Sequence, residues 1–306
     1  HVYRTLNLAE EMKPNKIHFL LEDFGGAKKI INQKGFKNIQ TLDKKIKLKK
    51  DVKITVDYLK KEKIDLMIVD RYHVKLNYLK KVKEFVKLIV ISDLDNIDYP
   101  ADLIINGYIG FKNQIKINSY NSKCLLGPKY QILDKRFSIK NVVKNRSYDL
   151  LVSVGGYDDK GTIDKILKCI HPHLSQIKTK IIVGPVGQKS EMSKKLEKKY
   201  PNNLKIINFS KNMKREMNDV KFAICGGGIT SYEFASLNKP FGIICVEKHQ
   251  VKSAQQWEKK GRALNFGMMT KSNENKINEF IQNIANNKSP LIIKNKTLVD
   301  GKGVIR

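Results

Sequence analysis

Three consecutive glycines, Gly226-Gly227-Gly228, follow an apolar run from Phe222 to Cys225 and precede a helical pattern that starts at Thr230. A glycine turn between the C-terminal end of a strand and a helix N-terminus suits an anion. Unpaired backbone N–H groups and the helix dipole point there, and without side chains a phosphate can reach the main chain. Thr230 and Glu233 have the spacing of a capping box, so the residues alone leave Glu233 either a cap or a ligand. A second strand, Pro240 to Val246, delivers Glu247, His249 and Gln250 to the same edge, where open α/β sheets bind their ligands. Gly155-Gly156 form another such turn after the apolar run from Asp149 to Val154. Two glycine turns in one half of a chain point to a diphosphate.

The other half carries acids and a histidine. Asp70, in Val69-Asp70-Arg71-Tyr72-His73, closes a short apolar strand, where an acid either lines a ligand cleft or caps the next helix. Asp93 and Asn106 end later strands in the same way. Asp93 and Asp95 bring two carboxylates together but no further ligands cluster with them, so chemistry without metal or other cofactor is expected. His1 is an imidazole, a group able to take a proton from water, although the sequence alone makes it a mere terminus. Arg4, one helical turn on, is placed for substrate or for solvent, and the pattern favours solvent. His73 reads as structural or solvated, and His171 and His173 as dipole partners just past a helix end.

Positioning these groups takes a long alternation of elements. From Lys16 onward, short apolar strands alternate with amphipathic helices, and the alternation restarts at Asp149. Repeated βα units of this kind form a doubly wound parallel sheet, and 306 residues suit two such domains. The polar, basic segment Phe137 to Ser147 is the expected linker, giving domains of residues 1–140 and 148–306. Cys124, Cys169, Cys225 and Cys245 are far apart in apolar segments, which reads as buried thiols in a reducing cytoplasm. No apolar run approaches the roughly 20 residues of a membrane span, and no signal peptide is visible. The formal net charge is +29. Such a charge attracts nucleic acid, but the lysines are spread over nearly every helix with no basic tail or aromatic-interleaved motif. A nucleotide sugar or an anionic membrane surface is the better-matched partner, and no nucleic acid is expected.

The run Gly226-Gly227-Gly228-Ile229-Thr230-Ser231 with Glu233, then Asn238-Lys239-Pro240, an apolar strand, and Gln250 ahead of a helix with Ala254 and Trp257, resembles the nucleotide half of GT-B glycosyltransferases. Within them it is most similar to the UDP-sugar hydrolases of pseudaminic acid biosynthesis (PseG) and the spore-coat polysaccharide proteins (SpsG). His1, Arg4, Leu8 and Ala9 match the family's G-H-x-x-R-x-x-x-L-A segment from the histidine onward, and residues 296–306 resemble the SpsG ending. The resemblance covers nearly the whole chain. It implies a GT-B fold, two Rossmann-type domains facing a cleft, with a first strand and its glycine loop expected ahead of His1. It further implies that His1 is the base in the attack of water on the sugar's C1 and that Asp70 and Tyr72 lie on the sugar side. Phe209 would bracket uracil, Glu233 would bind the ribose hydroxyls, Gln250 would meet sugar or phosphate, and Gly155, Gly156, Gly227 and Gly228 would cradle the diphosphate. The implied reaction releases UDP with inversion from a UDP-linked diacetamido-trideoxy sugar; a glycosyltransferase with the same donor site is the alternative, and a basic nucleic-acid-binding or non-catalytic protein a further one. Tyr157, Ser92 and Asp134 depart from the family pattern and leave the identity of the sugar open.

Overall fold

The computed structural model describes all residues except 25, 73, 94, 140–144, 157, 159–160 and 185–186, together with all side chains of these but that of residue 272. His73, Tyr157 and much of the expected linker therefore lie outside the described residues. The chain divides into two compact units: His1–Lys135 with Lys302–Arg306, and Arg136–Gly301.

Unit 1 begins with α1 (Val2–Glu11), β1 (Phe19–Glu22), α2 (Ala27–Gln33) and β2 (Ile39–Leu42). It continues with α3 (Leu48–Lys61), β3 (Leu66–Val69), α4 (Leu76–Lys83), β4 (Lys87–Ser92), β5 (Leu103–Asn106), β6 (Gln114–Ile117) and β7 (Lys123–Leu126). The strands form a two-stranded sheet, β1-β2, and a five-stranded sheet in the order β3-β4-β5-β7-β6. All pairs are parallel except β6 with β7, an antiparallel hairpin that the expected run of βα units does not contain. Leu79, Val82, Leu88, Val90, Ile104, Cys124 and Leu126 make the core on one face. Ile91, Ile132 and Val304 form a smaller cluster, with Leu8, Ile68 and Ile105 packed against it. Val304 thus brings the last residues of the chain back to unit 1, whereas the sequence division assigns them to the second half.

Unit 2 is built from β8 (Tyr148–Ser153), α5 (Thr162–Ile170), β9 (Thr179–Ile182), α6 (Glu191–Lys199), β10 (Leu204–Ile207) and α7 (Met213–Asn218). Then follow β11 (Val220–Gly226), α8 (Ile229–Ser236), β12 (Phe241–Cys245), α9 (Gln250–Lys259), β13 (Leu264–Met268) and α10 (Lys271–Ala285). Its six parallel strands run in the order β10-β9-β8-β11-β12-β13. This is the doubly wound order, with strand succession reversing between β8 and β11. Every residue of β9 and β12 is buried, as expected for parallel strands covered on both faces. In α5 the buried Ile163, Ile166, Leu167 and Ile170 repeat at helical spacing and lay one apolar stripe on the sheet. All four cysteines are buried free thiols. Among the described residues no helix is long and apolar enough to cross a membrane.

Two buried cations fix α8. Arg262 Nη2 donates to Ala235 O (2.7 Å), at the helix C-terminus, where a positive charge offsets the dipole. Lys239 Nζ donates to Asn218 O (2.8 Å) and Val220 O (2.6 Å), tying the following turn to β11. Burial lowers the Lys239 ammonium to about 8 and the Arg262 guanidinium to about 10.

Val304→Ala removes two buried methyl groups from the small cluster of unit 1 and is expected to cost about 1–3 kcal/mol, measured by urea denaturation followed at a unit 1 probe.

Candidate functional site

Parallel strands end in loops at one edge of a sheet, and the residues singled out in the sequence gather at two such edges, one in each unit.

In unit 1, α1 presents His1 and Arg4, β3 ends just before Asp70, and β4 ends just before Asp93. His1 Nδ1 contacts Asp70 Oδ1. Arg4 Nε donates to Asp70 Oδ2 (2.9 Å), Nη2 to Asp70 Oδ1 (2.5 Å), and Nη1 and Nη2 to the two oxygens of Asp93, the latter at 3.0 Å. The guanidinium is thereby held in fork geometry by two carboxylates. Arg4 is 6% exposed and the Asp70 side chain 2%. The expectation of a solvated Arg4 is overturned: a buried cation needs counter-charges, and Asp70 and Asp93 supply them. Nor does Asp70 cap the next helix, since α4 starts from Lys75 without a side-chain cap.

The electrostatics follow from this packing. Burial alone would raise the Asp70 carboxyl, but hydrogen bonds from His1 and Arg4 and their charges outweigh it and hold the group below the usual carboxylate range. Burial alone would lower the Arg4 guanidinium, and its bonds to Asp70 and Asp93 raise it instead. An ionised Asp70 accepts hydrogen bonds only. Arg4 Nη2 also approaches His1 Nδ1 at 3.2 Å, and Nδ1 cannot both donate to Asp70 and accept from Arg4. The closer Asp70 contact assigns a proton to Nδ1, so that in the neutral imidazole Nε2 carries the lone pair. The Tyr72 ring stands edge-on to His1, with centroids 4.3 Å apart at 79°. Burial, and then the Asp93 charge, raise the Tyr72 phenol, which keeps its proton. His1, Asp70 and Asp93 bring possible metal-ligand atoms within 4.8 Å of one another. The Arg4 guanidinium is the cation already bonded to both carboxylates.

Arg71, between Asp70 and Tyr72, anchors the loop that carries them. It donates to the buried Asp51 of α3 (2.5 Å) and to Glu22 at the end of β1 (2.8 Å). These anchors have no local sequence signature.

In unit 2, the turns after β8 and β11 flank the point where the strand order reverses. There Gly226 comes so close to β8 that a Cβ would lie 2.5 Å from Val154 O. Gly155 has φ +120°, a conformation reserved for glycine, and a Cβ on Gly156 or Gly228 would meet no atom within 4 Å. The two helix starts differ. Asp158 accepts from Thr162 N and Ile163 N (both 2.8 Å), so a carboxylate of the chain itself occupies the α5 N-terminus. α8 starts one residue earlier than the sequence pattern indicates, from Gly228 and with no side-chain cap. Thr230 then lies inside the helix and the capping box does not form. α9 likewise starts from His249 without a side-chain cap. Gln250 packs against Gly227, where a Cβ would meet Gln250 Cβ at 2.9 Å, and its Oε1 accepts from Val246 N (2.9 Å). Gln250 thus braces the turn through its carbonyl oxygen. Glu233 is half-buried on α8. Phe209, just beyond β10, is 45% exposed.

The structure therefore unites His1, Arg4, Asp70 and Tyr72, adds Asp93 to them, and separately unites the glycine turns with Gln250. At pH 7 Asp70→Asn is expected to lower stability by about 3–5 kcal/mol, the cost of breaking a buried pair. A lowered folded-state pKa stabilises above the unfolded carboxylate range near pH 4 and loses that contribution as pH falls through the folded value. The Tm gap between parent and variant should therefore close on acidification; a pH-independent gap counts against the ionised pair.

Comparison with known proteins agrees with this architecture. Residues 150–300 match the glycosyltransferase family 28 C-terminal domain. An uncharacterized protein of Methanocaldococcus jannaschii is 28% identical over 80% of this chain, which spans only 52% of that protein's length. The spore coat polysaccharide biosynthesis protein SpsG of Bacillus subtilis is 28% identical over 81% of this chain and 76% of its own. The UDP-2,4-diacetamido-2,4,6-trideoxy-beta-L-altropyranose hydrolase of Campylobacter jejuni is 25% identical over 69% of this chain and 77% of its own. Among solved structures, MurG of Acinetobacter baumannii superposes with a TM-score of 0.63 at 15% identity, covering 99% of this chain and 90% of that one. MnaA of S. aureus, solved with UDP, gives 0.59 at 11% identity, covering 99% and 91%. The chain has a GT-B fold, its homologues include SpsG and a PseG-type hydrolase, and residues 150–300 match the family 28 C-terminal domain.

Proposed function

We propose that this protein processes a UDP-sugar: unit 2 holds UDP, and water displaces it from the sugar's C1. The observation that carries the reading is the His1–Asp70 contact, which leaves Nε2 as the proton acceptor of an imidazole backed by a buried carboxylate. The water oxygen bonds to C1, the bond from C1 to the diphosphate oxygen breaks with inversion, and UDP departs with the bonding pair. His1 Nε2 takes the water proton. Tyr72 lies beside the ring on the sugar side. Backbone N–H groups of the uncapped α8 turn, at Gly227 and Gly228, stabilise the leaving diphosphate. Gly155 and Gly156 line the same switch point, Phe209 meets uracil, and Glu233 accepts from the ribose hydroxyls.

The substrate class, a UDP-linked diacetamido-trideoxy sugar, follows the name of the Campylobacter relative, and its place on the way to a nonulosonic acid is what the resemblance to the PseG family implies. The reading includes a cytoplasmic place and no metal, with Arg4 supplying the positive charge between Asp70 and Asp93. Transfer of the sugar to a polysaccharide or lipid hydroxyl is the second reading, favoured by the family 28 match over residues 150–300. Donor-side residues are common to both.

Saturable binding of UDP in preference to UMP and ADP is expected by calorimetry, weakened about tenfold by Glu233→Ala, which removes one charge-assisted hydrogen-bond set. Loss of UDP selectivity would sink both readings. UDP release from the UDP-sugar should proceed in water alone; release that requires an added acceptor decides for transfer. His1→Ala should lower the hydrolytic rate by about 10²–10⁴ while UDP still binds, and EDTA should leave the rate unchanged.

A further inference from the structure

The two carboxylates on Arg4 are unequal. Asp70 is 2% exposed and spends its oxygens inside the cluster, Oδ1 on His1 and Arg4 Nη2, and Oδ2 on Arg4 Nε. Asp93 takes Nη1 on one oxygen and Nη2 on the other, and its side chain is 30% exposed. A carboxylate oxygen has two lone pairs, so each Asp93 oxygen keeps one after its bond to Arg4. Charge adds to the difference. Two carboxylates meet one guanidinium, so with the His1 imidazole neutral these four side chains carry one negative charge in surplus. Arg71, the next cation along the loop, is turned away to Asp51 and Glu22. In a chain with a formal net charge of +29, the cluster around the proposed base is negative.

Asp93 opens where the chemistry is. Side-chain atoms of His1, Asp70 and Asp93 lie within 4.8 Å of one another, and the His1 side chain is 31% exposed beside them. Burial, and after it the Asp93 charge, raises the Tyr72 phenol, so the same charge reaches the ring that stands against His1. On the hydrolytic reading, on which this inference rests, water stands between His1 Nε2 and the sugar, which puts C1 about 6 Å from the imidazole. As the bond from C1 to the diphosphate oxygen lengthens, its electron pair leaves with UDP before the water oxygen has supplied another. Positive charge then grows on C1 and the ring oxygen. A diphosphate gains nothing from an exposed carboxylate, whereas a sugar ring turning cationic does. The imidazolium formed when His1 takes the water proton already has Asp70 bonded to it, which leaves Asp93 for the sugar.

We propose that Asp93 is the counter-charge of the sugar in the transition state: held in place by Arg4, it stabilises the positive charge on C1 and the ring oxygen and contributes little to holding the neutral sugar. Unit 1 is thereby selective for a cationic pyranose ring, a ligand class to which the ground-state donor does not belong.

The test compares two sugars by calorimetry on the full chain saturated with UDP: the iminosugar acetamidodeoxynojirimycin, whose ring nitrogen takes a proton, and neutral N-acetylglucosamine. The parent is expected to bind the iminosugar about tenfold more tightly. Asp93→Asn is expected to abolish that preference, with the affinities for UDP and N-acetylglucosamine unchanged. In the rate of UDP release from the UDP-sugar, Asp93→Asn should lower kcat about a hundredfold at little change in KM, and Asp93→Glu, which keeps the charge, should recover most of it. A residue that merely held the fold would weaken both sugars alike, and that outcome overturns the proposal. Equal binding of the two sugars by the parent overturns it without any variant, as does a preference that survives Asp93→Asn. Failure of the parent to bind UDP defeats the reading on which the inference rests, and the inference with it; UDP binding with equal sugar binding defeats the inference alone.

Discussion

Arg4 is a cation taken out of water, and unit 1 is arranged to compensate it. Its guanidinium sits on α1, yet the two carboxylates that balance it come from loops after different strands, β3 and β4. Burying one charge costs several kcal/mol unless every donor is met, so helix and both strand ends are locked in one arrangement. The same locking holds Asp70 where it meets His1. A geometric requirement of packing and a requirement of proton transfer are thus satisfied by one side chain. Arg71 repeats the device a residue beyond Asp70, using Asp51 and Glu22, so the loop carrying Asp70 and Tyr72 is pinned from two directions.

Unit 2 reaches its site by another route. A parallel sheet must be covered on both faces, its crossovers leave the C-terminal edge to loops, and the reversal of strand order opens a gap there. Gly226 lets β11 lie against the end of β8, and Gln250 presses on Gly227 from α9. The positive end of α8 remains uncapped by any side chain, whereas Asp158 neutralises that of α5. Of two turns that look alike in sequence, the protein has closed one electrostatically with its own carboxylate.

Much of this was legible from the chain. The alternation of short apolar strands with amphipathic helices, restarting at Asp149, is what the two units build, and the core strands read as short apolar runs ending in Gly, Asp or Asn. β6 was not legible, because an exposed strand held by a single neighbour has no buried face to impose a pattern. β13 carries Gly267 at φ +71° beside a register shift, which breaks its alternation. In the site, the residue types were visible but not their pairing. Arg4 meets partners 66 and 89 positions away, and nothing in a helical window distinguishes a lysine-like surface cation from one about to be buried. The spacing of Thr230 and Glu233 misled for the opposite reason: a local pattern was present, but the helix begins two residues too early to use Thr230 as its cap.

The return of Val304 to unit 1 bears on how the protein is made. Residues 1–135 emerge from the ribosome first, but the cluster of Ile91 and Ile132 waits for a side chain synthesised after all of unit 2. During translation unit 1 exists for the length of unit 2 with that small apolar surface uncovered. Unit 2, continuous in sequence, has no such interval, and its folding can be complete before that of the unit that precedes it.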